Sequence, residues 1–350
     1  MAAKKTIRIV LVDDSTFARV VLAKHLNSVE DLEVVGQARN GQQALEVIPE
    51  LDPDVVILDV IMPRLDGLQT LEKIMESDPR PVIMLSSLTR EGADETIQAL
   101  TLGAIDFIPK PSTKANIAEV MEELIPKIRG AAAVEGKMLR GKKLKPTPRT
   151  AARVQLAEGL ERPEKLVVIG SSTGGPRALS TLIPMLPNET DAAYLVVQHM
   201  PEGFTKPLAE RLNQISDVFV KEAGHGDPLL RGQALLAPGG YHLELINQRK
   251  VTLTNGPKIH GVRPAVDATM SSAAKYFEKA VLGVVLTGMG KDGRDGALSI
   301  QAAGGKVIAE DRSTCVVWGM PRSVEEAKAA DYILPLPEIG SQITQVLELL

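Results

Sequence analysis

Short, nearly continuous apolar runs alternate with amphipathic stretches along most of this chain, and no other feature constrains its fold as strongly. The first 128 residues contain the runs IRIVLV, LEVVGQ, DVVILDV, PVIMLSS and AIDFIP. Each run is rich in Val and Ile and does not alternate with period two, which is typical of strands covered on both faces. This succession of βα units predicts a doubly wound parallel sheet.

A second alternation of the same kind begins at Lys165. Its strand-like runs are LVVIG, AYLVVQ, VFVKEA, VLGVVLTG, KVIAED and DYILP. Between the third and fourth runs we predict a β-hairpin insertion built from QALLAPGG, YHLELI and KVTLTN. Gly239 and Gly240 are expected to form its turn, because glycine adopts positive φ readily. The pattern predicts a second doubly wound domain, Rossmann-like in class.

The stretch between the two alternations lacks apolar periodicity. Residues 129–164 are basic and contain several prolines, which is typical of an interdomain linker. We interpret its charges as solvation rather than as a binding patch. The predicted organisation is therefore one domain at 1–128, a linker at 129–164 and a second domain at 165–350.

Composition excludes several classes of protein. The net charge of -4 gives no global basic excess, so no nucleic-acid partner is expected. The single cysteine, Cys315, cannot form an internal disulfide, which fits a reducing compartment. The first apolar run is too short for a signal-peptide core, and no apolar stretch reaches the about 18 residues that a membrane helix needs. We expect a cytoplasmic protein without membrane insertion.

Charged and polar residues stand where successive strands of the first domain end. Asp13 and Asp14 follow the first run, Asp59 ends the third, Ser86 ends the fourth and Lys110 ends the fifth. Residues beyond the carboxyl ends of parallel strands converge on one crevice. Clustered carboxylates repel one another unless a cation lies between them, and oxygen ligands suit Mg²⁺. Each residue alone could be a turn former or helix cap; the combination indicates a metal and phosphoryl site.

These motifs resemble the response-regulator receiver family over nearly all of residues 6–128. The matching pieces are Asp13-Asp14, Leu58-Asp59-Val-Ile-Met-Pro63, Asp66-Gly67, Ser86 and Lys110-Pro111. The resemblance implies a flavodoxin-like fold with Asp59 as the phosphoacceptor. It also implies that Mg²⁺ is bound by Asp14, Asp59 and the Ile61 carbonyl, with Asp13 nearby. Finally, it implies a phosphorylation switch formed by Ser86, Phe107 and Lys110.

The first strand of the second domain runs into a glycine-rich turn, Gly170-Ser-Ser172-Thr-Gly-Gly-Pro176. A dinucleotide-binding loop would need glycine at Ser172, and the lysine of a P-loop is absent. The turn does satisfy Gly-x-Ser-x-Gly, in which a strand-to-helix turn exposes a serine oxygen. The helix N-terminus behind it would stabilise an oxyanion. A purely structural glycine turn remains the alternative.

A nucleophilic serine needs a base and an acid that orients the base. His199 ends the strand after the serine turn, and Asp292 follows the strand VLGVVLTG. Adjacent parallel strands would bring both residues to the edge that carries Ser172. Asp292 could otherwise be a helix N-cap, and Asp295 is a less favoured rival for the acid. The chain order Ser, His, Asp differs from that of α/β-hydrolases.

These pieces resemble the chemotaxis protein-glutamate methylesterase family over residues 165 to about 348. The matching motifs are Ile169-Gly-Ser-Ser172-Thr-Gly-Gly, Gln198-His199-Met-Pro201, Leu236-Ala-Pro-Gly-Gly-Tyr-His242, Arg263-Pro-Ala-Val-Asp267 and Leu286-Thr-Gly-Met-Gly-Lys-Asp292-Gly. Ser171 stands where alanine is common in that family.

The resemblance implies a phosphorylation-activated esterase with Ser172, His199 and Asp292 as its catalytic residues. Its substrates would be glutamate methyl esters, and also glutamines, on the cytoplasmic domains of chemoreceptors. A chemotaxis histidine kinase would be the phosphoryl donor. Backbone N–H groups of Thr173 and Met289 would form the oxyanion site, and the esterase site would need no cofactor.

Three other functions compete with this interpretation. A transcription factor needs a helix-turn-helix and a basic face, and neither is evident in residues 165–350. A non-catalytic scaffold could use the glycine turns for packing alone. An esterase for a different small ester would carry the same catalytic residues.

Overall fold

A computed structural model describes residues 6–87, 89–110, 117–134 and 162–350. The chain divides into two compact units, residues 1–143 and residues 144–350. The division falls within the predicted linker, of which residues 135–161 lie outside the described part of the chain.

The first unit is a five-stranded parallel sheet in the order β2-β1-β3-β4-β5. The strands are β1 (Ile7–Val12), β2 (Leu32–Ala38), β3 (Val55–Asp59), β4 (Val82–Ser86) and β5 (Asp106–Pro109). The helices are α1 (Thr16–Leu26), α2 (Gly41–Leu51), α3 (Gly67–Ser77), α4 (Arg90–Leu102) and α5 (Ile117–Ala132). This strand order confirms the flavodoxin-like fold that the apolar runs and the receiver motifs predicted.

The order of the first sheet positions its acidic residues. The connection after β1 leads to β2 on one side of the sheet, and the connection after β3 leads to β4 on the other side. A crevice opens at such a switch point, beyond the carboxyl ends of the strands. Strand β3 is buried along its whole length, so Asp59, its last residue, is held rigidly. The Ser15 side chain caps α1 and the Asp66 side chain caps α3, which fixes where both loops at this edge end.

The second unit contains a seven-stranded sheet in the order β14-β13-β12-β6-β7-β9-β8, in which every pairing is parallel. Its strands are β6 (Lys165–Ser171), β7 (Ala192–Gln198), β8 (Phe219–Glu222), β9 (Gln233–Leu236), β12 (Val281–Val285), β13 (Lys306–Glu310) and β14 (Tyr332–Leu334). The helices are α6 (Gly175–Leu182), α7 (Thr205–Ile215), α8 (Val266–Phe277), α9 (Arg294–Ala302), α10 (Met320–Glu326) and α11 (Leu336–Leu349).

The switch point of the second sheet lies between β6 and β12. From β6 the chain builds the β7 side first and then returns to β12 for the other side. Ser171 at the end of β6 pairs with Gln198 at the end of β7. Residues just past these two strands and past β12 are therefore neighbours at one edge. Large apolar side chains, including Leu195, Val285 and Met270, are fully buried beneath that edge.

The predicted hairpin was partly wrong. The hairpin is formed by β10 (His242–Asn247) and β11 (Lys250–Thr254), which pair antiparallel with each other. The run QALL is instead β9, a buried parallel strand between β7 and β8. Gly239 and Gly240 therefore link the sheet to the hairpin and do not form its turn. A strand buried on all four residues gains more from the sheet interior than from a two-stranded insertion.

The last helix of the first unit, α5, ends at Ala132 and so extends past the predicted domain boundary at residue 128. Among the residues that the structure describes, no helix combines the length and the apolar character that crossing a bilayer requires.

Candidate functional site

Three carboxylates meet at the switch point of the first sheet. Asp13 and Asp59 are buried, Asp14 is exposed, and an oxygen from each lies within 4.8 Å of the others. The Lys110 Nζ atom lies 2.7 Å from Asp59 Oδ2 and 3.1 Å from Asp13 Oδ2. The structure therefore brings together four of the residues that strand-end position predicted.

The electrostatics of this cluster fit a divalent cation. Burial, together with the nearby charge of Asp13, raises the pKa of Asp59 to about 7 against the lowering effect of Lys110. Asp13 Oδ2 is buried and accepts no hydrogen bond within the described residues, with only the Lys110 ion pair beside it. A cation bound to these oxygens would relieve the repulsion and favour the ionised carboxylates. Three oxygen ligands with one exposed side suit Mg²⁺, which keeps several waters.

The remaining receiver residues lie around this cluster. Ile61 is in the loop after β3, and its N–H donates to Asp59 Oδ1 at 3.3 Å. Ser86 is buried, and its hydroxyl donates to the Gly92 carbonyl at 3.0 Å, towards α4 and not towards Asp59. The Phe107 ring is buried, with Lys127 Nζ 5.5 Å from its centroid. The structure thus holds the predicted switch hydroxyl in a network with α4.

In the second sheet, the two serines of the serine turn lie in different environments. Ser171 is fully buried, and its hydroxyl donates to Gln198 Oε1 at 2.7 Å. Ser172 is half-buried, and within the described residues its Oγ makes no hydrogen bond. The Ser172 N–H donates to the Thr287 carbonyl at 3.0 Å, which ties the turn to the loop after β12. Ser171 is therefore a structural hydroxyl, while the Ser172 oxygen is available.

Two glycines permit this geometry. Gly174 has a φ of +79°, which only glycine adopts readily, and it immediately precedes α6. A Cβ atom on Gly288 would lie 2.8 Å from the Ser172 Cβ and 2.3 Å from the Met320 Sδ. Gly174, which lies in the predicted nucleophile turn, thus permits the turn's conformation, and Gly288 lets the loop after β12 approach Ser172 closely.

His199 lies directly beside this turn. Its backbone N–H donates to the Ser171 carbonyl at 3.1 Å. Its ring is mostly buried, and Nε2 lies 2.7 Å from Asp292 Oδ2. Since Nε2 is committed to Asp292, Nδ1 is the ring nitrogen available to a serine proton. The structure shows no hydrogen bond between Ser172 Oγ and His199, and such bonds often form only in the substrate complex.

Asp292 is fixed by four hydrogen bonds. Besides His199, its oxygens accept the N–H groups of Val266 at 2.6 Å, Asp267 at 2.9 Å and Gly293 at 3.0 Å. Four distinct donors thus hold a buried carboxylate. Burial alone would raise the pKa of Asp292, but the hydrogen bond and charge of His199, together with the backbone donors, lower it below its ordinary value. Asp292 is therefore an ionised acceptor for the His199 ring.

The rival acid does not reach the histidine. Asp295 is exposed, and its carboxylate accepts from Arg294 Nε at 2.8 Å. Within the described residues Asp292 alone ion-pairs with His199.

A further acid supports Asp292 from behind. Asp267 Oδ1 accepts the N–H groups of Gly293 at 2.9 Å and Gly296 at 2.7 Å, at the start of α9. Its Oδ2 lies 2.9 Å from His260 Nε2. Burial, and then the charge of Asp292, raise the pKa of Asp267. Sequence reasoning found Asp267 within a motif but assigned it no role, because only the fold brings residues 25 positions apart into contact.

Three other polar residues of the site had no predicted role. Gln198 Nε2 donates to the carbonyls of Ser172 and His199, both at 3.0 Å, and so holds the two loops together. Thr287 and the fully buried Glu310 lie beneath the serine turn. A polar residue at a strand end is the only signal for them in the sequence, and that signal is common.

The predicted oxyanion donors also lie in these loops. Thr173 follows Ser172 directly and is buried. Met289 follows Gly288, and within the described residues its N–H has no hydrogen-bond partner.

Comparisons with known proteins match both parts of the chain. The family model "CheB methylesterase" matches residues 167–343, and the model "Response regulator receiver domain" matches residues 9–122. A protein-glutamate methylesterase/protein-glutamine glutaminase of Symbiobacterium thermophilum is 48% identical, over 98% of this chain and 97% of its own. A protein of the same description from Thermotoga maritima is 46% identical, over 98% of this chain and 99% of its own.

A solved structure resembles the second unit. The crystal structure of the Thermotoga maritima CheB methylesterase catalytic domain is 49% identical and covers 53% of this chain and 98% of its own, with a TM-score of 0.51. Near full-length similarity to several relatives, together with both family models, carries the assignment. The chain belongs to the protein-glutamate methylesterase/protein-glutamine glutaminase family, whose members join a response-regulator receiver domain to a CheB methylesterase domain.

Proposed function

We propose that this protein hydrolyses glutamate γ-methyl esters on the cytoplasmic domains of chemoreceptors, and that phosphorylation of Asp59 activates it. The observation that carries the proposal is the 2.7 Å bond between His199 Nε2 and the buried Asp292, next to the turn that contains the available Ser172 oxygen. This is the arrangement of a histidine base oriented by an acid next to a serine nucleophile.

Acylation begins when Ser172 Oγ attacks the ester carbonyl carbon and His199 Nδ1 takes the serine proton. Asp292 stabilises the imidazolium that forms, and it fixes the ring so that Nδ1 faces the serine. The developing oxyanion accepts hydrogen bonds from the Thr173 and Met289 N–H groups, at the N-terminal side of α6. Collapse of the tetrahedral intermediate breaks the ester C–O bond, and the imidazolium proton leaves with methanol.

Deacylation repeats the same steps with water. His199 removes a proton from water as its oxygen attacks the acyl carbon on Ser172. The bond to Ser172 Oγ then breaks, the serine recovers its proton, and a glutamate side chain is released. A glutamine substrate gives the same acyl-enzyme with ammonia as the leaving group, so the chemistry also supports deamidation. No step requires a metal or a cofactor in this site.

Control resides in the first unit. An Asp59 oxygen attacks the phosphorus atom of a phosphoryl donor, the bond to the donor breaks, and an acyl phosphate forms. Asp13, Asp14, Asp59 and the Ile61 carbonyl would hold Mg²⁺, which neutralises charge on the carboxylates and on the phosphoryl group when bound. Lys110 pairs with the phosphoryl oxygens, and Ser86 leaves its α4 partners to bind them, while Phe107 moves with it.

The partners follow from this chemistry. A chemotaxis histidine kinase supplies the phosphoryl group, and methylated receptor segments are the substrate. Both lie in the cytoplasm, where we place this protein. No nucleic acid takes part.

Methanol release from methylated receptor membranes tests the esterase. The wild-type chain should release methanol, and Ser172→Ala should not, because the nucleophile is gone. Ser171→Ala is the matched control, since its hydroxyl is bound to Gln198 and should be dispensable for bond cleavage. A scaffold protein, or an esterase for unrelated esters, would release no methanol in any form.

A small phosphoryl donor tests the switch. With Mg²⁺ and the donor present, methanol release by the whole chain should rise, and Asp59→Asn should abolish that rise without altering the basal rate. An equal rate with and without the donor, when phosphorylation of Asp59 is verified by mass spectrometry, would refute activation.

A further inference from the structure

A fully buried glutamate lies beneath the serine turn. Glu310 is the last residue of β13, next to β12 in the sheet, and its exposed fraction is 0%. The described residues provide no Lys, Arg or His as an ion-pair partner for it. Burial raises the pKa of Glu310 to about 7. Burying an acid without a charged partner costs free energy. This cost indicates a role that an apolar side chain could not fill.

Both oxygens of Glu310 are used as acceptors. Oε2 accepts the Thr287 N–H at 2.7 Å, and Oε1 accepts the Thr314 hydroxyl at 2.9 Å. Thr314 thereby fixes the second oxygen of the carboxyl group. The contact with Thr287 is to the backbone, so Glu310 sets the position of the peptide that leaves β12.

Thr287 connects this peptide to the serine turn at two points. Its carbonyl accepts the Ser172 N–H at 3.0 Å. Its hydroxyl donates to the Thr173 carbonyl at 3.0 Å and accepts the Val317 N–H at 2.9 Å. The backbone of the nucleophile and that of the predicted oxyanion donor are thus both held by one residue, which Glu310 holds in turn.

We propose that Glu310 is a positioning residue for ester hydrolysis, acting through Thr287 to hold the Ser172–Thr173 turn in register with His199 and the loop at Met289. The inference rests on the proposed function of this site. Glu310 does not touch the substrate. What it supplies is a buried hydrogen-bond acceptor at a fixed place, and the bond to Thr287 needs an oxygen rather than a charge.

That distinction makes the proposal testable. Glu310→Gln keeps a carbonyl oxygen for the Thr287 N–H, and its amide can donate to the Thr314 hydroxyl. Glu310→Leu has a similar volume and no acceptor. A displacement of the turn by about 1 Å lowers turnover on the order of 100-fold. With methylated receptor membranes, Glu310→Leu should therefore lower kcat about 100-fold at nearly unchanged KM, whereas Glu310→Gln should retain kcat within about threefold.

Glu222→Leu is the matched control. Glu222 is also a strand-end glutamate, at β8, and it accepts the Thr205 hydroxyl at 2.6 Å, but among the described residues no hydrogen bond links it to the serine turn. Its kcat should equal that of the wild type. Equal kcat for Glu310→Leu and the wild type, with both proteins folded by circular dichroism, would overturn the proposal. So would an equal loss in Glu310→Gln and Glu310→Leu, because the acceptor would then be irrelevant.

If Glu310→Leu does not fold, variants at Thr287 test the same connection to the serine turn. Thr287→Val retains the backbone contacts but loses the hydroxyl that holds the Thr173 carbonyl, and it should lower kcat about tenfold or more. Thr287→Ser restores the hydroxyl and should restore kcat. Wild-type kcat in Thr287→Val would refute the connection. If instead the wild-type chain released no methanol at all, the proposed esterase function would fail, and the Glu310 variants would not be needed to show it.

Discussion

The two sheets of this protein place a buried acid at the same topological point and stabilise it in opposite ways. Asp59 shares its crevice with two other carboxylates, and burial together with the charge of Asp13 raises its pKa to about 7 against the effect of one lysine. Asp292 is surrounded by backbone N–H groups and the His199 ring, so its pKa is lowered. A carboxylate that lies beside other acids and has few donors attracts a metal and a phosphoryl group. A carboxylate held by several backbone N–H groups is suited to orient its neighbour.

The comparison suggests that the environment of a strand-end acid, rather than its position in the fold, decides its chemistry. At the receiver edge, loops leave Asp14 exposed and open the cluster to solvent. At the esterase edge, the start of α8 closes over Asp292 through the N–H groups of Val266 and Asp267.

Removal of the proposed nucleophile or the proposed base should have the largest effect. Ser172→Ala and His199→Gln should each lower methanol release on the order of 10⁶-fold, and the double variant should lose no more than either single one, because the two act as a unit. Phosphorylation of Asp59 should continue normally in all three. Additive losses in the double variant would show that the residues do not cooperate.

Neutralising the orienting acid should cost less. Asp292→Asn should lower kcat about 10⁴-fold, because the amide favours the wrong imidazole tautomer while the serine and the oxyanion site remain. The matched variant at the exposed acid, Asp295→Asn, should retain wild-type kcat. An activity of Asp292→Asn close to that of the wild type would contradict the assignment of roles.

The raised pKa of Glu310 predicts how the free energy of unfolding depends on pH. Its pKa is about 7 in the folded protein against an ordinary value of 4.5, so the folded state binds its proton more tightly. The stabilisation that comes from this tighter proton binding is complete below about pH 4.5 and is lost as pH rises through about 7. The free energy of unfolding should fall by about 3 kcal/mol over this range. Urea unfolding of residues 162–350 measures this dependence, since the matching domain of a relative was solved by itself. The free energy of unfolding should decline with pH in the wild type and should change less in Glu310→Gln. Parallel profiles would exclude Glu310 as the titrating group.

The smallest effect is expected at Asp267. Asp267→Ala leaves the Gly296 N–H without its acceptor and leaves the Gly293 N–H with Asp292 alone, which should lower the free energy of unfolding by about 2 kcal/mol. Asp267→Asn keeps an oxygen for both N–H groups and should lose less than half of that. The same urea experiment on residues 162–350 measures both variants. Equal losses in the two would mean that the charge of Asp267, and not its acceptor oxygen, stabilises the start of α9.

The sequence predicted both sheets and the residues at their edges for a simple reason. Val- and Ile-rich runs identify strands buried on both faces, and residues that follow parallel strands must meet. That rule predicted that Asp13, Asp59 and Lys110 lie together. It also predicted that His199 lies beside Ser172. Each of these residues lies within two positions of a strand end, so local pattern sufficed.

The same reasoning failed where neighbours decide the outcome. QALL is as short as a hairpin strand, and only its burial between β7 and β8 makes it part of the main sheet. Glu310 ends a predicted strand, yet nothing in its flanking residues indicates that Thr287 and Thr314 will satisfy both of its oxygens. Such contacts join residues that are distant in sequence, and side-chain packing in three dimensions determines them.

The most direct test of the central claim is covalent labelling of the nucleophile. A fluorophosphonate reagent forms a stable phosphonyl ester with an activated serine, and peptide mass spectrometry locates it. We predict labelling of Ser172 alone in the wild type, much slower labelling in His199→Gln, and none in Ser172→Ala. Labelling of Ser171, or undiminished labelling in Ser172→Ala, would contradict the account.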